Sequence, residues 1–272
     1  MLKASRVALT PNFAARDFQG RLYIGESQLA LQVMDGSVAG GRIAGELIFL
    51  RESAGLIARL RVSLAGADIA ELLAGNDTLT GRIALEITAE GIGLSPSALI
   101  GALEGNGKIT LTDGRLARLN PAAFDTVISA VDRGMPIDAA RVRNRMDSAL
   151  ASGALTFRRV EAGIRIEGGQ ARMMGNPSLG VPDVDLAVSG LVNLVEGATD
   201  WRLTLSAMPR AASPTNTWPE IEVSLRGPVN AARRATDVTA FTSWLAVRAI
   251  EQQSKKLDAL EGREPAAPMP GR

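Results

Sequence analysis

The chain of 272 residues is 46% apolar but only 4% aromatic, so we expect a large core built from aliphatic side chains. Its formal net charge of +1 argues against nucleic acid as a partner, because binding phosphates needs a dense basic patch. The sequence contains no Cys and no His, which excludes disulfides and thiol nucleophiles and removes the commonest general base and metal ligand.

Residues 1–120 carry short runs in which apolar and polar residues alternate, a pattern typical of half-buried β-strands. We predict antiparallel strand repeats here, interrupted by short helices near 68–73 and 95–103. Ser95 and Pro96 favour the start of the second helix, as cap and first helical residue. The apolar positions that share a phase in these strands are Leu60, Val62, Leu64, Ile83, Leu85, Ile87, Ile109 and Leu111.

Acid-glycine pairs occur within the same region, at Asp35-Gly36 and at Asp113-Gly114. We interpret both as hairpin turns, because Gly tolerates positive φ freely and Asp tolerates it better than most residues. A metal loop would need several oxygen ligands at fixed spacing, and Asp113 alone offers one nearby. The pair Gly168-Gly169 predicts a further hairpin turn of this kind.

Residues 121–152 form a predicted helical insertion between the strand repeats. Asn120 as cap and Pro121 as first helical residue predict the start of one helix, and Asp138 predicts the cap of a second. Apolar residues at helical spacing follow both start signals.

Strand alternation returns over residues 153–234, which we predict to be antiparallel strands. A long C-terminal helix is predicted over 235–260, and the Pro-rich tail 261–272 is expected to be disordered. The apolar positions of the second strand region are Val184, Leu186, Val188, Leu203, Leu205, Ile221, Val223 and Leu225.

These patterns together predict a mostly β protein with peripheral helices. Roughly a dozen strands each have one apolar face, while only four or five helices are available to cover them. We therefore expect an antiparallel meander of hairpins, curled into an open trough or an incomplete sandwich, with a long C-terminal helix. An aliphatic lining suits acyl chains, and it suits a sandwich core equally well.

The candidates for chemistry are weak. Asp183 and Asp185 could form a catalytic carboxylate pair, but acids two apart in a strand share one face and repel each other. Gly105 and Gly107 resemble the start of a phosphate loop, yet no Lys-Ser/Thr pair at a helix start follows them. The arginines of 141–145 favour a solvated helix face over contact with anionic lipid. We predict no catalytic residue, no metal site and no cofactor, and hence no enzyme.

Membrane and targeting signals are missing from the sequence. No run of ~18 apolar residues would cross a bilayer as a helix. The N-terminal residues lack the apolar stretch of a signal peptide and already alternate as a strand does.

Several segments, taken in their order along residues 36–250, resemble one known family. Each segment is degenerate, and the order makes the match specific. The chain resembles the C-terminal region of the AsmA family of bacterial cell-envelope proteins. The segments are GGRIAGELIFL at 40–50, LRVSLAGADIAELL at 60–73, TLTGRIALEITAEG at 78–91, LIGALEGNGKITLTDGRLARLNPAAF at 99–124, ALTFRRVEAGIRIEGGQARM at 154–173, PDVDLAVSGLVNLVEGATDWRLTLSA at 182–207 and IEVSLRGPVNAARRATD at 221–237.

The resemblance implies a non-enzymatic module on the periplasmic side of the inner membrane, which handles phospholipid and supports outer-membrane assembly or protein targeting. Larger relatives resemble chorein-type lipid-transfer bridges, which are elongated β-sheets with an apolar groove. The apolar strand positions named above are then the candidates for contact with lipid. Expected partners are phospholipid or a membrane surface and envelope-assembly proteins. Family members usually begin with an inner-membrane helix and a long N-terminal region, which this sequence does not show, so the chain either works alone or is the distal end of a longer protein.

Two other functions remain open on the sequence. A closed β-sandwich could dock protein partners without binding lipid. A carbohydrate-active β enzyme could use carboxylates such as Asp183 or Asp185.

Overall fold

One antiparallel sheet of 14 strands forms the body of the protein in a computed structural model. The structure describes residues 2–10, 13–53, 55–73, 78–175, 177–181, 184–207, 218–229 and 231–261. The strands are β1 (Leu2–Thr10), β2 (Phe13–Ile24), β3 (Gln28–Val38), β4 (Gly41–Glu52), β5 (Gly55–Asp68), β6 (Leu79–Gly93), β7 (Glu104–Ala117), β8 (Ala154–Glu167), β9 (Gln170–Met174), β10 (Ser178–Val181), β11 (Val184–Asn193), β12 (Ala198–Ala207), β13 (Glu220–Pro228) and β14 (Arg233–Asp237).

The strands follow one another across the sheet in chain order, with one exception. Both β9 and β10 pair with β11, at 191–193 and 184–187 respectively, so they occupy a single place in the sheet one after the other. Among the described residues β1 and β14 each pair on one side only, and the sheet does not close into a barrel. The predicted antiparallel meander with an open architecture is confirmed. A closed β-sandwich is wrong, because helices and not a second sheet cover the apolar face.

Within the described ranges, five helices connect or follow the strands. The first two lie where the sequence predicts short helices, and Ser95 caps α2 as predicted, its Oγ accepting from the amide of Ala98 at 3.2 Å. The structure adds a cap on α1, where the Asp68 side chain accepts from the amide of Ala70 at 2.8 Å. The C-terminal helix is confirmed, but it begins at Thr239 because residues 235–237 belong to β14. The predicted tail lies outside the described residues. The helices are α1 (Ile69–Leu72), α2 (Pro96–Gly101), α3 (Ala123–Asp132), α4 (Ala139–Ala151) and α5 (Thr239–Glu261).

The predicted helix start at Asn120-Pro121 is wrong by two residues. Helix α3 has Ala122 at its N-cap position and no side-chain cap. Asn120 Oδ1 instead accepts from the amide of Ala122 at 3.0 Å, and its Nδ2 donates to Ser152 Oγ at 2.9 Å. Asn120 thus closes a local turn before the helix and ties that turn to the end of α4. Asp138 caps α4 as predicted, accepting from Arg141 at 2.9 Å.

Neither acid-glycine pair is a hairpin turn, which corrects the sequence interpretation. Strand β7 continues through Asp113, whose φ is 50°, and Asp113 with Gly114 lies opposite the single residue Gly81 of β6. Such an extra residue is a β-bulge. Strand β3 likewise continues through 34–36, with a register shift against β4. A bulge and a turn need the same backbone conformation, so the residue types alone could not separate them.

The chain reverses at glycines elsewhere. Ala39 and Gly40 have φ of 49° and 71° and join β3 to β4, with Val38 opposite Gly41. Gly168 and Gly169 have φ of 55° and 70° and join β8 to β9, as the sequence predicts. Two consecutive residues with positive φ are typical of type I′ hairpin turns.

Bulges gather at one end of the sheet, which we call the bulged end. Register shifts occur there near Asp17 in β2, near Gly36 in β3, near Gly66 in β5 and near Asp113 in β7. Helices α1, α3 and α5 follow strands that finish at this end. Each bulge increases the local twist of the sheet at this end.

Two clusters of buried side chains lie on the same face of the sheet. The C-terminal core consists of buried apolar residues of α3, α4 and α5 together with Leu155 of β8 and buried residues of strands β10–β13. Phe124 of α3 meets Phe241 of α5 edge-on at its centre, with 5.3 Å between ring centroids. The N-terminal core is smaller and consists of Ala15, Phe18, Val38, Leu64 and Ala67.

The bulge at Gly114 generates a stability prediction. A Cβ on Gly114 would lie 2.0 Å from a ring atom of Phe157 on the paired strand. Gly114→Ala should therefore lower the free energy of unfolding by about 1–3 kcal/mol through overpacking, measured by chemical denaturation. In a Phe157→Ala background the same substitution should be nearly neutral, and an equal loss in both backgrounds would refute the steric explanation. Asp113→Asn is the control, because Asn accepts the same positive φ.

A second prediction concerns the ion pair that joins α3 to α5. Arg248, only 10% exposed at its side chain, bonds both carboxylate oxygens of Asp132 at 2.6 and 3.1 Å. The hydrogen bond from Arg248 lowers the pKa of Asp132. The folded state thus holds this proton more weakly than the unfolded state does. The resulting stability is present above the ordinary carboxyl pKa, about 4, and is lost as pH falls through the lower folded value.

Asp132→Asn should therefore destabilise the protein at neutral pH and flatten the fall in stability as the pH drops below about 4. Denaturant unfolding at a series of pH values measures both effects. Glu251→Gln on the same helix as Arg248 is the control. An unchanged acid profile in Asp132→Asn would show that the pair contributes nothing to pH-dependent stability.

Candidate functional site

The apolar residues that the sequence singled out all lie on one face of the sheet, which we call the inner face. Val62 pairs directly with Ile87, and Ile109 pairs with Ala162 on β8. Paired residues point to the same side, so the phase carries from strand to strand through β8, β9 and β11 to β13. One continuous face therefore contains every candidate from Leu60 to Leu225.

The candidates on β11, β12 and β13 lie in the C-terminal core. Helices α3, α4 and α5 cover them, and Val188 and Leu225 pack at the margin of the cluster. Packing alone accounts for these residues, and their contact with lipid stays a prediction. Those that are buried are Val184, Leu186, Leu203, Leu205, Ile221 and Val223.

The candidates on β5, β6 and β7 divide into two groups. Leu64 belongs to the N-terminal core, and Ile83 and Leu85 pack against it. The others are half-buried and lie in neither core, between the two clusters. We call this second group the mid-sheet strip, and it consists of Leu60, Val62, Ile87, Ile109 and Leu111.

Two further aliphatic residues extend the mid-sheet strip across the sheet. Leu47 of β4 pairs with Leu60, and Ile164 of β8 lies opposite Gly107, which itself pairs with Ile87. Both are half-buried and outside the two cores. The alternating pattern of β4 and β8 contained this signal, but the candidates chosen from the sequence did not include these two positions.

Glycines form part of the floor of the strip. A Cβ at Gly45, Gly105 or Gly107 would lie 2.2, 2.3 or 2.4 Å from a carbonyl oxygen of the neighbouring strand. No side chain fits where the strands approach so closely, and such approach is typical of bends in a sheet. The glycines therefore let the sheet bend here. Because they have no side chain, the surface between the aliphatic side chains lies close to the backbone.

Short helices bound the mid-sheet strip at the two ends of its strands. At the bulged end Leu72, the last residue of α1, packs against the N-terminal core. At the opposite end α2 lies over β6, and a Cβ at Gly91 or Gly93 would meet the backbone of Leu99 at 2.7 or 2.6 Å. The inner face therefore forms a shallow aliphatic trough between two covered regions.

The opposite, outer face carries charged side chains in cross-strand pairs. Arg59 meets Glu90 at 3.3 Å, and Lys108 meets Glu161 at 2.7 Å. The hydrogen bond from Lys108, and after it the one from Arg159, lowers the pKa of Glu161 to about 2. These pairs are exposed and contribute little stability individually, so their main effect is to keep the outer face solvated.

The structure assembles no chemical site from the polar candidates. Asp185 lies opposite Ser206 and accepts a hydrogen bond from Ser178, while Asp183 lies outside the described residues. Gly105 and Gly107 lie within β7 and not in a loop. In the described part of the chain no three acidic side chains come together to hold a metal ion.

The packing of α3, α4 and α5 on the last strands is the main feature that the sequence does not predict. The sequence predicts an apolar side for each of α3, α4 and α5, but nothing in the pattern tells which strands that side meets. In the structure Val142 and Met146 of α4 and Leu245 of α5 are buried over the last strands. The helices are too few to cover the rest of the sheet, which leaves the mid-sheet strip.

Comparison with known proteins gives one match. A family model described as the AsmA family matches residues 1–174, which end at the last residue of β9. No curated protein and no solved structure matches the chain. None of the helices within the described ranges has the length and hydropathy needed to cross a membrane.

Proposed function

The chain belongs to the AsmA family, and from this premise we propose that it handles phospholipid on the mid-sheet strip and thereby supports outer-membrane assembly or protein targeting. Membership suggests a cell-envelope protein of the bridge-like lipid-transfer type. The observation that supports lipid handling is the half-buried aliphatic trough between the two cores. It lies within the region that the family model matches.

Acyl chains fit the chemistry of this trough. Its side chains are Leu, Ile and Val, with glycines between them, and they offer no hydrogen-bonding group to a ligand. A monomeric protein rarely leaves a continuous apolar surface larger than a few hundred Å2 without a use for it. An acyl chain would remove this surface from water, while the headgroup reaches solvent at the rim.

The remaining parts of the proposal follow from the same premise. We place the protein at the periplasmic side of the inner membrane, with phospholipid or a membrane surface as partner, and with envelope-assembly proteins as further partners. Nucleic acid is no partner in this proposal, given the net charge of +1. The function is non-enzymatic, because the sequence has neither His nor Cys and the polar candidates do not converge.

A second candidate function is an interaction module that binds no lipid. The C-terminal core supports it, because α3, α4 and α5 cover that half of the inner face as in an ordinary globular core. A protein partner would then cover the mid-sheet strip in place of acyl chains. The two functions differ in whether the purified chain carries phospholipid.

Lysine substitutions on the two faces of β6 distinguish lipid handling from an interaction module that binds no lipid. Ile87→Lys puts an ammonium on the mid-sheet strip, where the stem stays on apolar surface and the head reaches water, so the fold should persist. Native mass spectrometry should find phospholipid bound to the parent chain and several-fold less on Ile87→Lys. Thr88→Lys, on the exposed outer face of the same strand, should keep the lipid. A parent that holds no phospholipid, even after incubation with vesicles, would favour the interaction module.

Ile221→Lys tests whether the inner face is divided into a closed C-terminal core and a mid-sheet strip that is open to lipid. Ile221 is 1% exposed in the C-terminal core, and a lysine there would bury a charge without a partner. Circular dichroism should show loss of the cooperative fold, in contrast to Ile87→Lys. A folded Ile221→Lys that also loses lipid would extend the lipid path beneath the helices.

A further inference from the structure

A polar pocket of about 750 Å3 lies at the β14 edge of the sheet, away from the mid-sheet strip. Helix α4, strands β13 and β14 and the residue that follows β7 form its walls. Its volume is within the range of small-molecule sites, roughly 300–1,000 Å3. The charged side chains that line it are Arg118, Arg143, Asp147, Glu222, Arg226, Arg234 and Asp237.

Three of these charged groups already have partners. Glu222 pairs with Arg202 at 3.2 Å, and Arg226 pairs with Asp200 at 3.1 Å, both across strands of the outer face. Asp237 accepts the amide hydrogen of Thr239 at 2.8 Å at the start of α5. These groups are satisfied by the fold and need no ligand.

The remaining arginines are not compensated in this way. Within the described ranges Arg118, Arg143 and Arg234 form no ion pair, and Asp147 is the one other carboxylate at the pocket wall. Arg143 also acts on Asp237 from a distance. Three guanidinium groups therefore face two carboxylates, Asp147 and Asp237, and Asp237 also accepts the amide hydrogen of Thr239. The pocket thus has a positive excess.

Among the three arginines, Arg234 gives the strongest indication that the pocket binds an anion. Its side chain is half-buried, and one of its five N–H donors bonds the carbonyl oxygen of Arg118 at 2.7 Å. Burial lowers the pKa of Arg234, Asp147 opposes this shift and Arg118 adds to it. A partly desolvated cation without a contacting anion is unfavourable, so an anion that enters the pocket would be stabilised.

Helix α4 separates two kinds of arginine that the sequence could not distinguish. Arg141 turns to solvent and pairs with its own helix cap, Asp138, at 3.2 Å. Arg143, two residues further on, lines the pocket. The two residues are alike in chemistry and in helix, which makes them a matched pair for a test.

We propose that this pocket binds a phosphoryl anion, held by Arg118, Arg143 and Arg234. Guanidinium groups present paired donors that match phosphate oxygens, and three of them on separate elements can approach one phosphate from different sides. Free inorganic phosphate and the phosphate of a lipid headgroup share this chemistry. The site does not depend on lipid binding at the mid-sheet strip.

The test uses the full chain, stripped of lipid and held at low ionic strength, because salt weakens charge-based binding. Inorganic phosphate is titrated and followed by calorimetry and by phosphorus NMR. We expect saturable binding that Arg143→Gln and Arg118→Gln each weaken by about tenfold, equivalent to loss of one charge-assisted contact. Arg141→Gln should bind phosphate like the parent, and circular dichroism confirms that all variants are folded.

Short-chain phosphatidic acid identifies the source of the anion. If it competes with phosphate and loses affinity in Arg143→Gln, the pocket is a headgroup site, and if it does not compete, the pocket takes free phosphate. The proposal is overturned if phosphate shows no saturable binding, or if Arg141→Gln weakens binding as much as Arg143→Gln does. It is also overturned if neither pocket variant changes the affinity. None of these results alters the lipid occupancy expected for Ile87→Lys.

Discussion

Alternation along each strand puts a continuous apolar face on one side of the sheet, and the covering of that face governs the rest of the structure. Water is a poor environment for so much aliphatic surface, so each part of the face must be buried or bound. Three helices cover the last strands, and a small cluster around Phe18 and Leu64 covers the bulged end of the first ones. The strip from Leu47 to Ile164 lies between them with half-buried side chains. The proposed lipid function rests on this uneven cover.

Backbone irregularities shape the face as much as side chains do. Bulges gather at one end, where Asp113 and its counterparts add a residue and increase the twist. Glycines such as Gly45 and Gly107 lie where neighbouring strands approach too closely for a Cβ. Together they convert what would be a flat sheet into a curved one with a low floor. A flat sheet of this size would expose its apolar face more evenly and would offer an acyl chain no enclosed path.

Charged side chains are arranged differently on the outer face of the sheet and at its β14 edge. On the outer face, acids and bases alternate across strands and neutralise one another, as Lys108 and Glu161 do. At the β14 edge the short strand, α4 and the residue after β7 meet. Three arginines line the pocket there, and they form no ion pair with any residue that the structure describes. The net charge of only +1 for the whole chain therefore conceals a local positive excess. Such an excess is meaningful at Arg234, which is half-buried, because an unpaired charge is costly where it is partly desolvated.

The sequence by itself determined the strand content, the antiparallel order and the phase of the apolar residues, because side chains alternate strictly along a strand and turns between neighbours are short. It also determined the caps at Ser95 and Asp138, since a cap is a local contact within three residues. It did not separate a bulge from a turn at Asp113, because both need the same local conformation. Tertiary structure alone decided that Ile221 is core while Ile87 borders a trough, and that Arg143 lines a pocket while Arg141 meets solvent. Those outcomes depend on where distant helices dock, and docking is set by contacts between residues far apart in the chain.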